Sequence, residues 1–384
     1  VNIILRKKYK IEGKLMENFR EENRVRSVSE FVEKTIALSN KENVEHLYYR
    51  GESSFYPLRL PTLYRNKRLT LDGSSYYYQQ LFIELGKGTY QNSVELSQSI
   101  AEFQHYGAIT RYLDVTSNPL VALYFAVENE GDNGCIYCYK QEIDTSNFFK
   151  FEKFETGHTI AIKNALNFIP QRQINFFINF CFEIVEIANK NPEFLDNYRN
   201  SELKYISPER TVFFQDIIRN FQINDIRRLI SEELKKENTS LPYNYMNFIY
   251  DMEEFLDLLN QKAKVKERLK YPVKIFMDLI SAQIFLSTKS TSRIRQQQGA
   301  FIYPCFPSDH FKYKDTIQED DYEYFQKLVS DSISSLEKTE NFLWIANEDK
   351  SRIATELSII GITKSFIYPG IETQSKVLLE NEYK

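Results

Sequence analysis

The stretch from residue 102 to 126 constrains the fold most tightly. It sets His105, Gly107, Thr110, Arg111, Asp114, Thr116 and Ser117 directly ahead of the apolar run 120–126. Gly107 permits a turn, and Ile109, Tyr112, Leu113 and Val115 have the bulk that strands favour. Ser117 or Asn118 then offers a helix N-cap, and Pro119 suits the first helical position, where no amide hydrogen is needed. Leu120, Leu123, Tyr124 and Val127 recur at helical spacing, which predicts a buried face. The stretch therefore reads as polar loop, short strand, helix. Polar groups at the mouth of such a turn are where a rigid scaffold can present chemistry.

Length and charge narrow the setting. With 384 residues and a formal net charge of -4, the chain has ample material for a core and no overall footprint for nucleic acid or membrane, though locally basic faces remain open to it. No segment approaches the roughly 20 apolar residues that span a bilayer. Residues 1–8 lack the layout of a signal peptide. The expectation is a soluble cytoplasmic protein with no membrane partner. Four cysteines include the pair Cys135 and Cys138, but the run around them reads as a strand, where positions three apart point to opposite faces. Without a second pair, no zinc site is expected, and the thiols are read as reduced and structural. His46, His158 and His310 are too scattered for a metal constellation. Neither a phosphate loop, a G-x-G-x-x-G nor a G-x-S-x-G occurs.

Taken in order, the chain suggests an N-terminal extension (1–26), a first β-rich block (27–143), a mostly helical insertion (144–269) and a second block (270–384). Ser27 and Glu30 form a candidate capping box for a helix over 27–39. A β-rich run over 45–52 ends at Gly51, and helices are expected over 76–85 and 94–104. In the middle region helical patterns cover 174–189, 217–236 and 245–269. Strands are then expected over 273–286, through the glutamine-rich 296–299, around 342–345 and over 365–369. Helices are expected over 322–335 and 351–360, the latter stopped by Gly361.

Three separated segments carry a resemblance. Tyr49-Arg50-Gly51-Glu52, then Gln104-His105-Tyr106-Gly107 with Thr110-Arg111-Tyr112-Leu113-Asp114, and 120–126 together resemble the FRG domain, named for its Phe/Tyr-Arg-Gly motif. Residues 293–301 and the closing 361–369 look like later motifs of that family, so the resemblance runs from about Val28 to the C-terminus. In its order of elements the chain is also distantly similar to ADP-ribosyltransferase folds of the Arg-Ser-Glu kind. That similarity implies an α+β fold with a mixed or split antiparallel sheet flanked by helices, and NAD as co-substrate. It further implies a toxin or phage-defence effector acting on a nucleic-acid or protein acceptor and held in check by an antitoxin or regulatory protein.

Carried residue by residue, the resemblance gives Arg50 the dinucleotide phosphates, with Gly51 letting ligand approach the backbone. Thr116 or Ser117 takes the ribose, and His105 and Asp114 supply proton or charge chemistry. Tyr106, Arg111 and Gln298 complete the cofactor-facing set. The third motif departs from the pattern, because 296–299 holds no carboxylate, and Asp114 or Glu52 would have to substitute. Each residue also has a plainer reading. Arg50 pairs with Glu52 or Asp114, His105 bonds across a turn, and Arg111 with Asp114 forms a buried pair. A second function class is a non-catalytic nucleotide- or nucleic-acid-binding module using Arg50, Arg65, Arg111, Arg293 and Arg295 on phosphates.

Overall fold

The computed structural model describes residues 19–42, 47–140, 158–202, 214–236, 243–308, 320–337 and 342–382; residues 1–8, His46 and His310 lie outside them. Six strands, β1 (Tyr48–Glu52), β2 (Leu113–Thr116), β3 (Gly134–Tyr139), β4 (Gln283–Phe285), β5 (Gly299–Tyr303) and β6 (Leu343–Ile345), form one sheet. Its order is β4-β5-β2-β1-β3-β6, antiparallel throughout, with helices around it: an α+β fold. β1 and β3 are in register over five pairs, from Tyr48–Tyr139 to Glu52–Cys135. β1 and β2 register at Tyr49–Thr116 alone. The ladder is thus incomplete at the centre of the sheet.

The Pro119–Val127 helix follows β2 as the sequence implies. Asn118 caps it, its side-chain oxygen accepting from Leu120 N at 3.0 Å, with Pro119 in the first turn. Its buried face is shifted from the predicted stripe: Leu123 and Val127 are buried together with Val121, Ala122 and Ala126, whereas Leu120 and Tyr124 are only half-buried. The reason is close seating on two glycines. A Cβ at Gly51 would sit 1.7 Å from the Ala122 carbonyl oxygen, and one at Gly134 2.2 Å from that of Ala126. This face of the sheet, with Tyr49, Ile136, Cys138, Leu343 and Ile345, forms one apolar cluster with that helix. Cys135, Tyr137 and Tyr139 point the other way, into a larger cluster shared with the helices of 158–279. The two strand cysteines therefore face opposite sides, and both thiols are buried and free. Among the described residues no group of metal-ligating side chains forms, and no helix is long and apolar enough to cross a membrane.

Local chemistry explains where the sequence reading needs correction. The strand expected over 273–286 is mostly the Pro272–Leu279 helix, started by Pro272 and burying Val273, Ile275, Phe276 and Leu279 at helical spacing; only β4 remains extended. The glutamine-rich strand is instead the Ser292–Gln296 helix, whose cap Thr291 accepts from Ile294 N at 3.2 Å. Gln298 then turns the chain in the left-handed region (φ 47°), and β5 begins at Gly299. Over 365–369 the Thr363 hydroxyl accepts from Phe366 N at 3.2 Å and starts the short Lys364–Ile367 helix in place of a strand. The helix expected over 217–236 is two, Phe214–Ile218 and Ile223–Lys236. Asn220 donates back to Asp216 O at 2.7 Å and Asp225 accepts from Gln222 N at 2.9 Å, so side chains satisfy the backbone at the break.

Because the atom facing Gly51 is a backbone oxygen, Gly51→Ala cannot be absorbed by a rotamer change. We expect it to destabilise the protein by about 3 kcal/mol or more. Urea unfolding followed by far-UV circular dichroism checks this, and an unchanged midpoint would contradict the seating.

Candidate functional site

Arg50 occupies the place where the ladder between β1 and β2 is missing. Its Nε donates to Glu52 Oε1 at 2.7 Å and its Nη1 to the Asp114 carbonyl oxygen at 2.9 Å. The guanidinium thus does for β2 what a backbone amide of β1 would do in a continuous ladder. Its Nη2 has no hydrogen-bond partner among the described residues, and the side chain keeps 19% of its surface in solvent. Glu52 is buried, and its Oε2 is without a partner. The plain pairing with Glu52 is therefore real, yet it leaves part of the arginine fork available.

Asp114 lies one residue into β2, its carboxyl hydrogen-bonded by Gln104. Gln104 is oriented for this because its carbonyl oxygen accepts from the Thr110 hydroxyl. Burial raises the Asp114 carboxyl above its ordinary pKa, against the lowering effects of Arg50, the Gln104 bond and Arg293. Solvent nonetheless reaches the residue, so the crowded carboxyl lies at the surface and not in a dry core. Next to Gln104, the last residue of the Ser93–His105 helix is half-buried, with its Nε2 sealed off and unpartnered. Burial pushes the His105 imidazole down to about 4, helped by the positive charge of Arg293 and opposed by Glu102. Arg293 closes the group: its Nη1 donates to His105 O at 3.3 Å, its plane lies 4.8 Å from the centre of the Tyr368 ring, and its Nε is buried without a partner. Arg50, Gln104, His105, Asp114 and Arg293 are thus one linked constellation, drawn from β1, the Ser93–His105 helix, β2 and the Ser292–Gln296 helix.

The other predicted site residues are placed differently. Gly51 faces the Pro119–Val127 helix, so the space beside it is filled by Ala122 backbone and not open to a ligand. Thr116 is buried, its hydroxyl donating to Gln297 O at 2.6 Å and accepting from Asn118 N at 2.9 Å; it fastens the turn after β2 to the start of β5. Ser117 is half-buried beside Gln298, 3.4 Å from its Oε1, and Gln298 is an exposed turn residue. Arg111 does not pair with Asp114. It is 2% exposed in the core, donating to Tyr64 OH at 2.9 Å, Asn167 Oδ1 at 3.0 Å and Ser74 Oγ at 3.2 Å, with the Phe306 ring 4.6 Å away. Among the described residues no carboxylate balances that charge, and neutral oxygens and ring faces hold it. Tyr106 is 78% exposed, outside the cleft.

Sequence reasoning singled out neither Gln104 nor Tyr368 for the site, and placed Arg293 only among generic phosphate contacts. Gln104 had a local signal in its position beside His105 at a helix end. Arg293 and Tyr368 had none, since their roles arise from contacts 188 and 75 residues distant, to His105 and to each other.

The depressed imidazole has a signed consequence. Between about pH 6.5 and 4 the unfolded chain takes up a proton at residue 105 that the folded chain refuses, so this group makes stability fall as pH falls through that window. Comparing urea midpoints of the wild type and His105→Gln at pH 7, 5.5 and 4.5 isolates the effect: the wild type should lose more stability than the variant, and parallel profiles would refute it.

The comparisons with known proteins bear on the same segment. No curated protein and no solved structure matches the chain. The family match covers residues 45–134; the segments 293–301 and 361–369, expected from the sequence to belong to the same family, lie beyond it. Residues 45–134 match the model of the FRG domain, and Arg50, Gln104, His105 and Asp114 all fall inside that segment.

Proposed function

We propose that the cleft around Arg50, His105, Asp114 and Arg293 binds a phosphate-bearing dinucleotide, NAD, and that the protein is an ADP-ribosyltransferase-like enzyme. The observation that carries this reading is the approach of two arginines to one solvent-reached carboxyl beside a neutral histidine. The residues present suit such a ligand. Arg50 Nη2, on a side chain that keeps solvent contact, is a donor without a partner among the described residues and fit for a phosphate oxygen, and Arg293 Nε and His105 Nε2 are enclosed polar atoms left unmatched close by. Bound NAD would supply an N-glycosidic bond weakened by its charged nicotinamide leaving group. In this reading Arg50 holds the phosphates, Asp114 provides the negative charge that the cleavage favours, and His105, kept neutral by burial, adds a polar group without adding charge. Toxicity or defence, and a restraining partner, belong to the same proposal.

A second reading has an observation of its own. Residues 296–299 carry no carboxylate, and the Thr116 hydroxyl is fully engaged by Gln297 and Asn118, which favours a nucleotide-binding module without turnover. Titrating NAD and ADP-ribose by calorimetry and assaying nicotinamide release separates the two. Arg50→Gln should weaken binding about 10- to 100-fold. Asp114→Asn should leave binding in place and abolish nicotinamide release if the enzyme reading holds. Binding without release by the wild type would select the second reading, and no binding at all would remove both.

A further inference from the structure

Beside the cleft lies a surface that the nucleotide reading does not use. Tyr106 caps the Ser93–His105 helix, where Tyr106 N bonds Glu102 O, Gly107 N bonds Gln104 O and Ala108 N bonds Phe103 O, with Gly107 in the left-handed region (φ 89°). This wrapped end fixes the backbone from which the ring projects outward, 78% exposed. The polar segment 287–298 runs alongside the same helix, joined to it by Gln98 Nε2 donating to Thr288 Oγ1 at 3.1 Å and by Arg293 Nη1 on His105 O. From this segment Lys289 and Arg295 project into solvent, and among the described residues neither pairs with a carboxylate. Two acids of the neighbouring elements are engaged elsewhere: Glu102 by Lys87 at 2.8 Å and Asp114 by Gln104. Arg293 Nε and Gln296 Oε1 are buried without partners between this surface and the cleft.

We propose that this surface holds a single-stranded nucleic acid, with a base stacked on Tyr106 and backbone phosphates met by Lys289 and Arg295. An exposed ring beside unpaired cations is what sequence-tolerant binding of a strand requires, because every base offers a flat face and every residue a phosphate. A duplex does not suit it, since its bases are already stacked on one another. The chain's net charge of -4 keeps this attraction local to the patch. The proposal goes beyond the NAD reading and stands or falls separately from it.

The test is fluorescence anisotropy of the whole chain with a labelled mixed-sequence single-stranded RNA or DNA, in the absence of NAD, across a salt series. Tyr106→Ala should weaken binding about ten-fold or more, and Tyr106→Phe should restore it. Lys289→Gln with Arg295→Gln should reduce the slope of log affinity on log salt by about 1.4. Tyr250→Ala, which removes an exposed ring on the Tyr243–Ala263 helix, should change nothing. Equal affinity of wild type and Tyr106→Ala, an unchanged salt slope in the double variant, or displacement of the strand by an equal charge of polyglutamate would overturn the proposal; the last outcome would indicate an acidic protein as the partner. Because no NAD is present, failure of the Arg50 site leaves this measurement unaffected.

Discussion

The contact of Gly51 with the Ala122 carbonyl is the constraint on which the rest of the site depends. It brings the backbone of the central strand against the backbone of the helix that follows β2. Side chains elsewhere can adjust to one another, but two main chains at this distance fix both position and angle. The 113–119 turn is thereby held, with Asp114 at one end and the Asn118 cap at the other. Arg50, next to that glycine, points to the opposite face and reaches the edge of β2 where the ladder lapses. One dipeptide, Arg50-Gly51, thus contributes packing on one side of the sheet and an available guanidinium on the other.

The cleft is polar, but its groups differ in how they are satisfied. Arg50 and Asp114 have partners and keep solvent contact, whereas His105 Nε2, Arg293 Nε and Glu52 Oε2 are enclosed and unmatched. Unmatched buried polar atoms are costly, and a folded protein retains few of them without a use. His105 Nε2 and Arg293 Nε lie beside Asp114, while other such atoms, at Arg59, Tyr137, Tyr139 and Glu337 among them, lie elsewhere in the fold. Lys163 makes the contrast: it too is buried and its amine is lowered to about 8, but it donates to Ser281 O and Pro304 O and so acts as a structural tie.

What the sequence conveyed was mostly what lies close along the chain. The turn, strand, cap and helix of 102–126 were legible because their signals sit within a few residues of one another, as were the opposite-facing cysteines of β3. Short apolar runs were not: 273–279 and 365–368 have the composition of strands, and only Pro272 and Thr363, read as helix starts, would have decided otherwise. The arginines show the limit most clearly. Arg50 and Arg111 both stand in β-rich, tyrosine-flanked motifs, yet one borders solvent and the other is enclosed by Tyr64, Ser74 and Asn167. Gly51 was legible as a necessity but not in its cause, since nothing local reveals which neighbour needs the room.

Arg111 also bears on how this protein can be divided. Its charge is solvated partly by Asn167, in the helical region, and Phe306, after β5, both beyond the end of the family match at residue 134. A fragment cut at 45 and 134 would lose β5 from one side of β2 and nearly all of β3 from β1, and would leave this guanidinium with half its cage. The boundaries of the recognisable motif are therefore not the boundaries of an autonomous folding unit: the interior of the matched segment is completed by the rest of the chain.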